Sequence, residues 1–261
     1  LARLEIWDSY LTQARGAAAV PAIEALLPLV ERAALKKLCY FPDVGLGTGP
    51  AAVEQWVAAH SDQIDEPLRR WPDLMLGMIQ VNAREPSRSL DAIDRWLRDG
   101  PMVGVYLPGG APAGLTCTHP DVARLVERVA ELDGAIMMHT WFKTNDPALP
   151  HGSTPSDLAE LAARFPQQTF ICAHAGGNWE LGLRAVRELP NIVVETSGFD
   201  ATAGFLEMAV RELGAERILF GSHLPSRSLG TELAKILFAD LSEEQKHLVL
   251  GGNFRRLLRR D

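Results

Sequence analysis

Short apolar runs alternate with longer amphipathic ones along most of the chain. Eight of the short runs read as strands: Leu4–Asp8, Leu35–Tyr40, Leu74–Val81, Met102–Leu107, Ala135–His139, Thr169–His174, Ile192–Thr196 and Arg217–Ser222. They are rich in Ile, Val, Leu and Met without clean polar alternation, as parallel strands covered on both faces are. Between them the period changes. Ser89–Leu97 puts Leu90, Ile93, Trp96 and Leu97 on one helical stripe, and Asp121–Leu132 does the same with Val122, Leu125, Val126 and Val129. Thr154-Pro155-Ser156-Asp157 is a helix start ahead of Leu158–Phe165. Further helices are expected at Ala51–Ile64, Glu180–Glu188, Phe205–Leu213 and Leu229–Leu237, with two short ones after Ser242. Eight β-then-α units in 261 residues predict an α/β fold, a (β/α)8 TIM barrel forming a single domain. A doubly wound open sheet shows the same alternation but calls for a glycine fingerprint after an early strand. Gly45-Leu46-Gly47-Thr48-Gly49 lacks the G-x-G-x-x-G spacing.

Charge and composition narrow the function classes. Acidic residues outnumber basic ones, 33 to 26, for a net charge of −7, which argues against a nucleic-acid binder or a polybasic membrane-surface protein. No window approaches the ~18 uncharged apolar residues of a spanning helix. The most apolar stretch, Ala17–Val30, is broken by two prolines and a glutamate. The first residues lack the apolar core of a signal peptide. Cys39, Cys117 and Cys172 are too scattered for a disulfide framework or a CxxC zinc site, so a reducing cytoplasm is the expected compartment.

Barrel active sites lie at the C-terminal ends of strands, where the βα loops converge. Polar residues collect there repeatedly: Asp8-Ser9-Tyr10, Met138-His139-Thr140, Ala173-His174-Ala175-Gly176-Gly177, Glu195-Thr196-Ser197-Gly198 and Gly221-Ser222-His223-Leu224-Pro225. Three of the seven histidines thus end different strands. His60, His119 and His247 read as solvated surface, while His151 reads as either surface or part of a lid. If His223 points inward, so do Gly221 and Leu219, with Phe220 against the helices. Cys172, two residues before His174, is expected on the same face, deeper in the barrel, as core filler. Trp56, Trp71 and Trp96 read as packing residues. Tyr10, Tyr106 and Trp141 are candidate pocket residues, and Arg227 is placed to meet an anionic substrate.

The order Met137-Met138-His139-Thr140-Trp141, then Cys172-Ala173-His174-Ala175-Gly176-Gly177, then Ile218-Leu219-Phe220-Gly221-Ser222-His223-Leu224-Pro225 resembles the amidohydrolase-2 family of metal-dependent TIM-barrel hydrolases and decarboxylases. Glu195-Thr196-Ser197-Gly198 and the closing Leu250-Gly251-Gly252-Asn253-Phe254-Arg255-Arg256-Leu257-Leu258 are similar to that family's patterns too. The resemblance implies a metal-ligand position at His139. It also implies a substrate-polarising or acid–base role for His174.

Departures from the pattern bear on the same site. The family's first strand ends in Asp-x-His-x-His, with metal-binding histidines, where this chain has Asp8, Tyr10 and Thr12. Its eighth-strand aspartate, a metal ligand that also handles the proton of the attacking water, is replaced by His223. Two readings stay open. In one, a divalent ion, zinc before others, is held at weak or partial occupancy by His139 and His223 with His174 or Asp8 as third ligand. In the other, metal binding has been lost and a pocket remains. The expected activity is hydrolysis of a small lactone, ester or amide, with His174 stabilising an oxyanion or moving a proton and His223 activating water. Asp8 is a third candidate catalytic residue. Metal-free lactone hydrolysis within the wider family keeps this reading open, and decarboxylation ranks below it. The rival is an inactive barrel that binds a metabolite or a protein. The expected partner is a small-molecule substrate, with no nucleic acid and no membrane, and a homo-oligomer stays open.

Overall fold

The computed structural model describes residues 4–12, 18–42, 64–109, 115–142, 152–199 and 201–259. Eight parallel strands run in sequence order around a barrel: β1 Ile6–Thr12, β2 Leu35–Phe41, β3 Met75–Gln80, β4 Gly104–Leu107, β5 Ala135–His139, β6 Phe170–Ala173, β7 Ile192–Glu195 and β8 Ile218–Leu219. The chain beyond β8 returns to β1. Ser9 N donates to Phe220 O at 3.0 Å, His223 N to Tyr10 O at 2.9 Å and Thr12 N to Leu224 O at 3.0 Å. This is the (β/α)8 barrel expected from the alternation. The expected helix Ala51–Ile64 falls almost wholly outside the described residues, as do Trp56, His60 and His151. No helix among the described residues is long and apolar enough to cross a membrane.

Strand alternation sorts side chains into two apolar layers. Phe41, Met78, Tyr106, Met137, Ile171 and Leu219 fill the barrel, and Leu38, Ile79, Val105, Ile136, Val194 and Phe220 pack under the helices. Leu219 inside and Phe220 outside follow the expected parity. Cys172 corrects it: this thiol belongs to the outer layer, between Ile171 and Ala173 on the inside. β6 ends at Ala173 and His174 adopts φ +63°, so the backbone turns between them and two-residue parity no longer holds.

The helix Ala19–Ala33 has no counterpart among the expected elements, because Pro21 and Pro28 read as breakers. Pro21 lies in the first turn, where backbone N–H groups have no intrahelical acceptor anyway. Pro28 is internal and removes one ladder hydrogen bond, and burial of Ala19, Ile23, Val30 and Ala33 against the core offsets that loss. The helix ends at Ala34 in the left-handed region, its N–H bonded to Glu31 O and Val30 O. Helices Phe205–Leu213 and Leu229–Leu237 match expectation at both ends. His119, expected on the surface, is partly exposed and caps the helix Pro120–Glu131 by accepting from Asp121 N.

The C-terminal run after Ser242 forms two short helices, Glu243–His247 and Asn253–Leu257. Asn253 is buried, and its amide donates to Ala215 O at 2.7 Å and Ile218 O at 2.8 Å, tying this segment to the start of β8. Asn253→Ala removes both of these buried bonds, leaving Ala215 O with the Ile218 N–H alone. The expected loss is about 1–3 kcal/mol of stability, read as a lower urea midpoint with an unchanged slope.

Candidate active site

The three strand-end histidines meet. The His139 and His223 rings each lie 5.1 Å from the His174 ring, centre to centre. β5 delivers His139, the turn after β6 delivers His174, and the segment after β8 delivers His223. His174 and His223 both have positive φ, 63° and 51°. Tyr10 completes the cluster from β1, its ring stacked 4.8 Å from His223 and edge-on to His174 at 4.6 Å. Its hydroxyl lies 3.2 Å from His174 Nε2 and 3.4 Å from the Tyr106 hydroxyl.

Hydrogen bonds assign the roles of the ring nitrogens. His174 Nδ1 faces the Ser197 carbonyl at 2.9 Å, and a carbonyl only accepts, so Nδ1 carries a proton. Nε2 is therefore the nitrogen that gains or loses one, opposite the Tyr10 hydroxyl. Glu195, fully buried, sits with Oε2 3.3 Å from Nδ1 and also accepts from the backbone N–H of His174 and Ser197. Burial alone would push its carboxyl up; the hydrogen bond and charge of His174, with Ser197, hold it below the ordinary value. Sequence reasoning placed Glu195 at the end of the seventh strand but gave it no role. The available signal was an acidic residue closing the apolar run Ile192-Val193-Val194.

His223 has the opposite environment. Ser226 Oγ donates to His223 O at 3.0 Å, so the 2.6 Å contact between Oγ and Nδ1 is donated by the ring, and Nε2 keeps its lone pair. Burial, with His174 nearby, pushes its pKa down to about 4, leaving the imidazole neutral at pH 7.

Asp8 is fully buried and faces β8. Its carboxylate accepts from Ser222 N at 2.8 Å, Ser222 Oγ at 2.5 Å and Tyr10 N at 3.0 Å. Arg227 donates through Nη2 to Gly198 O at 2.8 Å. Cys172 Sγ is 3.3 Å from the Thr140 hydroxyl, and burial pushes its thiol up to about 12, far from a nucleophilic thiolate.

An open cleft of about 630 Å³ is lined by Trp141, Phe142, Trp179, Phe199 and Arg227 among others, and its Trp141 ring lies 6.1 Å from the His174 ring. Gly177 and Gly198 form part of its wall, both at positive φ. A Cβ at Gly198 would come 2.4 Å from His174 Nδ1, and one at Gly177 2.7 Å from the Trp141 ring. Only glycine lets the backbone approach both rings so closely.

Several of the expected metal donors are engaged by the protein itself: both nitrogens of His174, Nδ1 of His223 and both oxygens of Asp8. No group of three His, Cys, Asp or Glu among the described residues is arranged to hold one. The Tyr10 phenol, a poor ligand while protonated, stands at the centre of the cluster.

A parallel eight-stranded barrel with imidazoles gathered at its C-terminal mouth has the arrangement of a barrel enzyme site, in which strand-end side chains converge. The family model for amidohydrolases matches residues 40–260, and the chain belongs to that family. No curated protein matches it in sequence. Among solved structures, 2,6-dihydroxybenzoate decarboxylase from Rhizobium is similar with a TM-score of 0.77 and 17% identity, covering 98% of this chain and 99% of that one. A dihydroxybenzoic acid decarboxylase from Polaromonas sp. JS666, with bound manganese and the inhibitor 2-nitroresorcinol, gives 0.76 at 16% identity, covering 98% and 96%. 5-Carboxyvanillate decarboxylase from Sphingomonas paucimobilis gives 0.74 at 16%, covering 95% and 87%.

Proposed function

We propose that the protein is a metal-independent hydrolase of a small carboxylated lactone, ester or amide. The observation that carries this reading is the opposed setting of two imidazoles 5.1 Å apart. His223 is half-buried and neutral with a lone pair at Nε2, and His174 has a carboxylate behind its Nδ1. His223 Nε2 takes a proton from water as the water attacks the substrate carbonyl. His174, protonated at Nε2 and stabilised through Nδ1 by Glu195 and Ser197 O, faces the oxygen on which charge develops. The proton taken by His223 then returns to the leaving oxygen or nitrogen. Aromatic walls hold the apolar body of the substrate, and Arg227 at the cleft edge meets its carboxylate.

The test is turnover of a panel of carboxylated lactones, esters and amides, with and without a chelator. Turnover that survives chelation and falls at least about a hundredfold in His174→Ala supports the proposal. Loss on chelation, restored by zinc or manganese, would return a metal to the site. The solved decarboxylases with this fold give reason to add dihydroxybenzoates and carboxyvanillate to the panel; carbon dioxide release from these would replace hydrolysis. Binding without turnover of any compound would favour an inactive, metabolite-binding barrel.

A further inference from the structure

Four consecutive carbonyls follow β7, and each accepts from a side-chain nitrogen. Thr196 O and Phe199 O accept from Lys235 Nζ at 3.2 and 2.7 Å. Between them, Ser197 O accepts from His174 Nδ1 at 2.9 Å and Gly198 O from Arg227 Nη2 at 2.8 Å. His174 and Arg227 belong to the site. Lys235 comes from behind, on the helix Leu229–Leu237, and its side chain is only 2% exposed. Its ammonium lies 2.8 Å from the equally buried Glu232 carboxylate and 4.2 Å from the centre of the Phe199 ring.

A buried ion pair is weak evidence for stability, since well-packed apolar residues of the same volume often do as well. What this pair does is better read from where its hydrogen bonds go. Thr196 Oγ1 is buried with no hydrogen-bond partner, so the ammonium is spent on the backbone of the segment and not on its side chain. The two carbonyls it holds flank the pair that faces the site. Ser197 O can aim at the imidazole only while its neighbours stay fixed, and Gly198 rests against that same ring.

We infer that Lys235 is a positioning residue for His174: by clamping Thr196 O and Phe199 O it aims Ser197 O at Nδ1 and so keeps Nε2 as the nitrogen that exchanges protons. Its catalytic consequence rests on the hydrolase reading; the tautomer itself does not. A site of this kind is sensitive to sub-ångström changes, because misplacement by about 1 Å can cost on the order of a hundredfold in rate.

The experiment compares wild type with Lys235→Met/Glu232→Gln, which removes the ammonium without stranding a buried carboxylate, and with Lys235→Gln, which keeps an N–H donor toward the two carbonyls. Long-range ¹⁵N–¹H correlation spectra read the neutral His174 tautomer directly, and thermal unfolding reports whether each variant is folded. Wild type is expected to show Nδ1–H. The double variant is expected to lose that preference, with kcat down about tenfold to a hundredfold and KM within about twofold, and Lys235→Gln to recover most of both. A folded double variant that keeps Nδ1–H and full kcat overturns the inference, and so does a wild type found in the Nε2–H form. Absence of any hydrolytic turnover in wild type removes the hydrolase reading alone, and the tautomer measurement still decides the role of Lys235.

Discussion

Replacing His223 with alanine is expected to lower kcat/KM by roughly 10²–10⁴-fold, the range of a lost general base. The accompanying pH profile is the sharper measurement. An ordinary imidazole base with a pKa near 6.5 is half inactivated at that pH. His223 is pushed down to about 4, first by burial and then by His174, and only its neutral form can accept a proton. Wild-type kcat/KM should therefore stay level as pH falls from 8 toward about 5 and drop with an apparent pKa near 4. An acid limb near 6.5, or an alanine variant with the wild-type profile, would assign water activation to another group.

The second large effect concerns barrel closure. Asp8→Ala removes the acceptor for Ser222 N, Ser222 Oγ and Tyr10 N, all within the closed seam between β1 and β8. A loss on the order of 3 kcal/mol is expected, since buried donors left without partners cost about 1–3 kcal/mol each. Asp8→Asn is expected to behave differently, because an amide can still accept from both backbone N–H groups and can donate to Ser222 Oγ. Burial lifts the Asp8 carboxyl from 3.8 to about 7 in the folded chain, against the pull of Ser222. Between those values the folded protein holds a proton that the unfolded chain has lost, so this group's contribution to stability falls as pH rises through the window. Glu232, lifted to about 7, acts in the same sense, and His223, pushed down, acts in the opposite sense. The difference between wild type and Asp8→Asn isolates the Asp8 part: denaturant midpoints should favour wild type near pH 4 and converge on or cross those of the variant by pH 8. A constant difference across that range would show that Asp8 is ionised throughout.

How much of this is legible in the chain depends on how local the determining forces are. Strand positions are written in short apolar runs because strands covered on both faces need nothing else. Leu219, Phe220 and Gly221 keep their expected sides because regular backbone carries the alternation through them. At His174 the same reasoning fails, since a left-handed residue directly after β6 resets the direction of the side chain and leaves Cys172 in the other layer. The meeting of His139, His174 and His223 follows from their places at strand ends. Lys235 is different. In the chain it is one more lysine beside a helical stripe of Leu233 and Ile236, and what buries it is a loop 36 to 39 residues earlier. No local pattern marks a side chain whose partners are distant backbone carbonyls. Tyr10 lies between these cases: its place on an inward face is readable, but its hydroxyl contact with His174 depends on closure across 164 residues.

That closure also sets a condition on biosynthesis. The contacts that seal β1 join residues more than 200 positions apart, Asp8 to Ser222 across 214. At about 5–20 residues per second, a ribosome takes on the order of ten to forty seconds to make the intervening chain. Throughout that interval β1 has one open edge and Asp8 lacks its Ser222 donors, and an exposed strand edge is a template for wrong pairing. The seam thus makes the nascent chain dependent on its last strand, so truncation before Ile218 would leave a seven-stranded species with an open edge at β1.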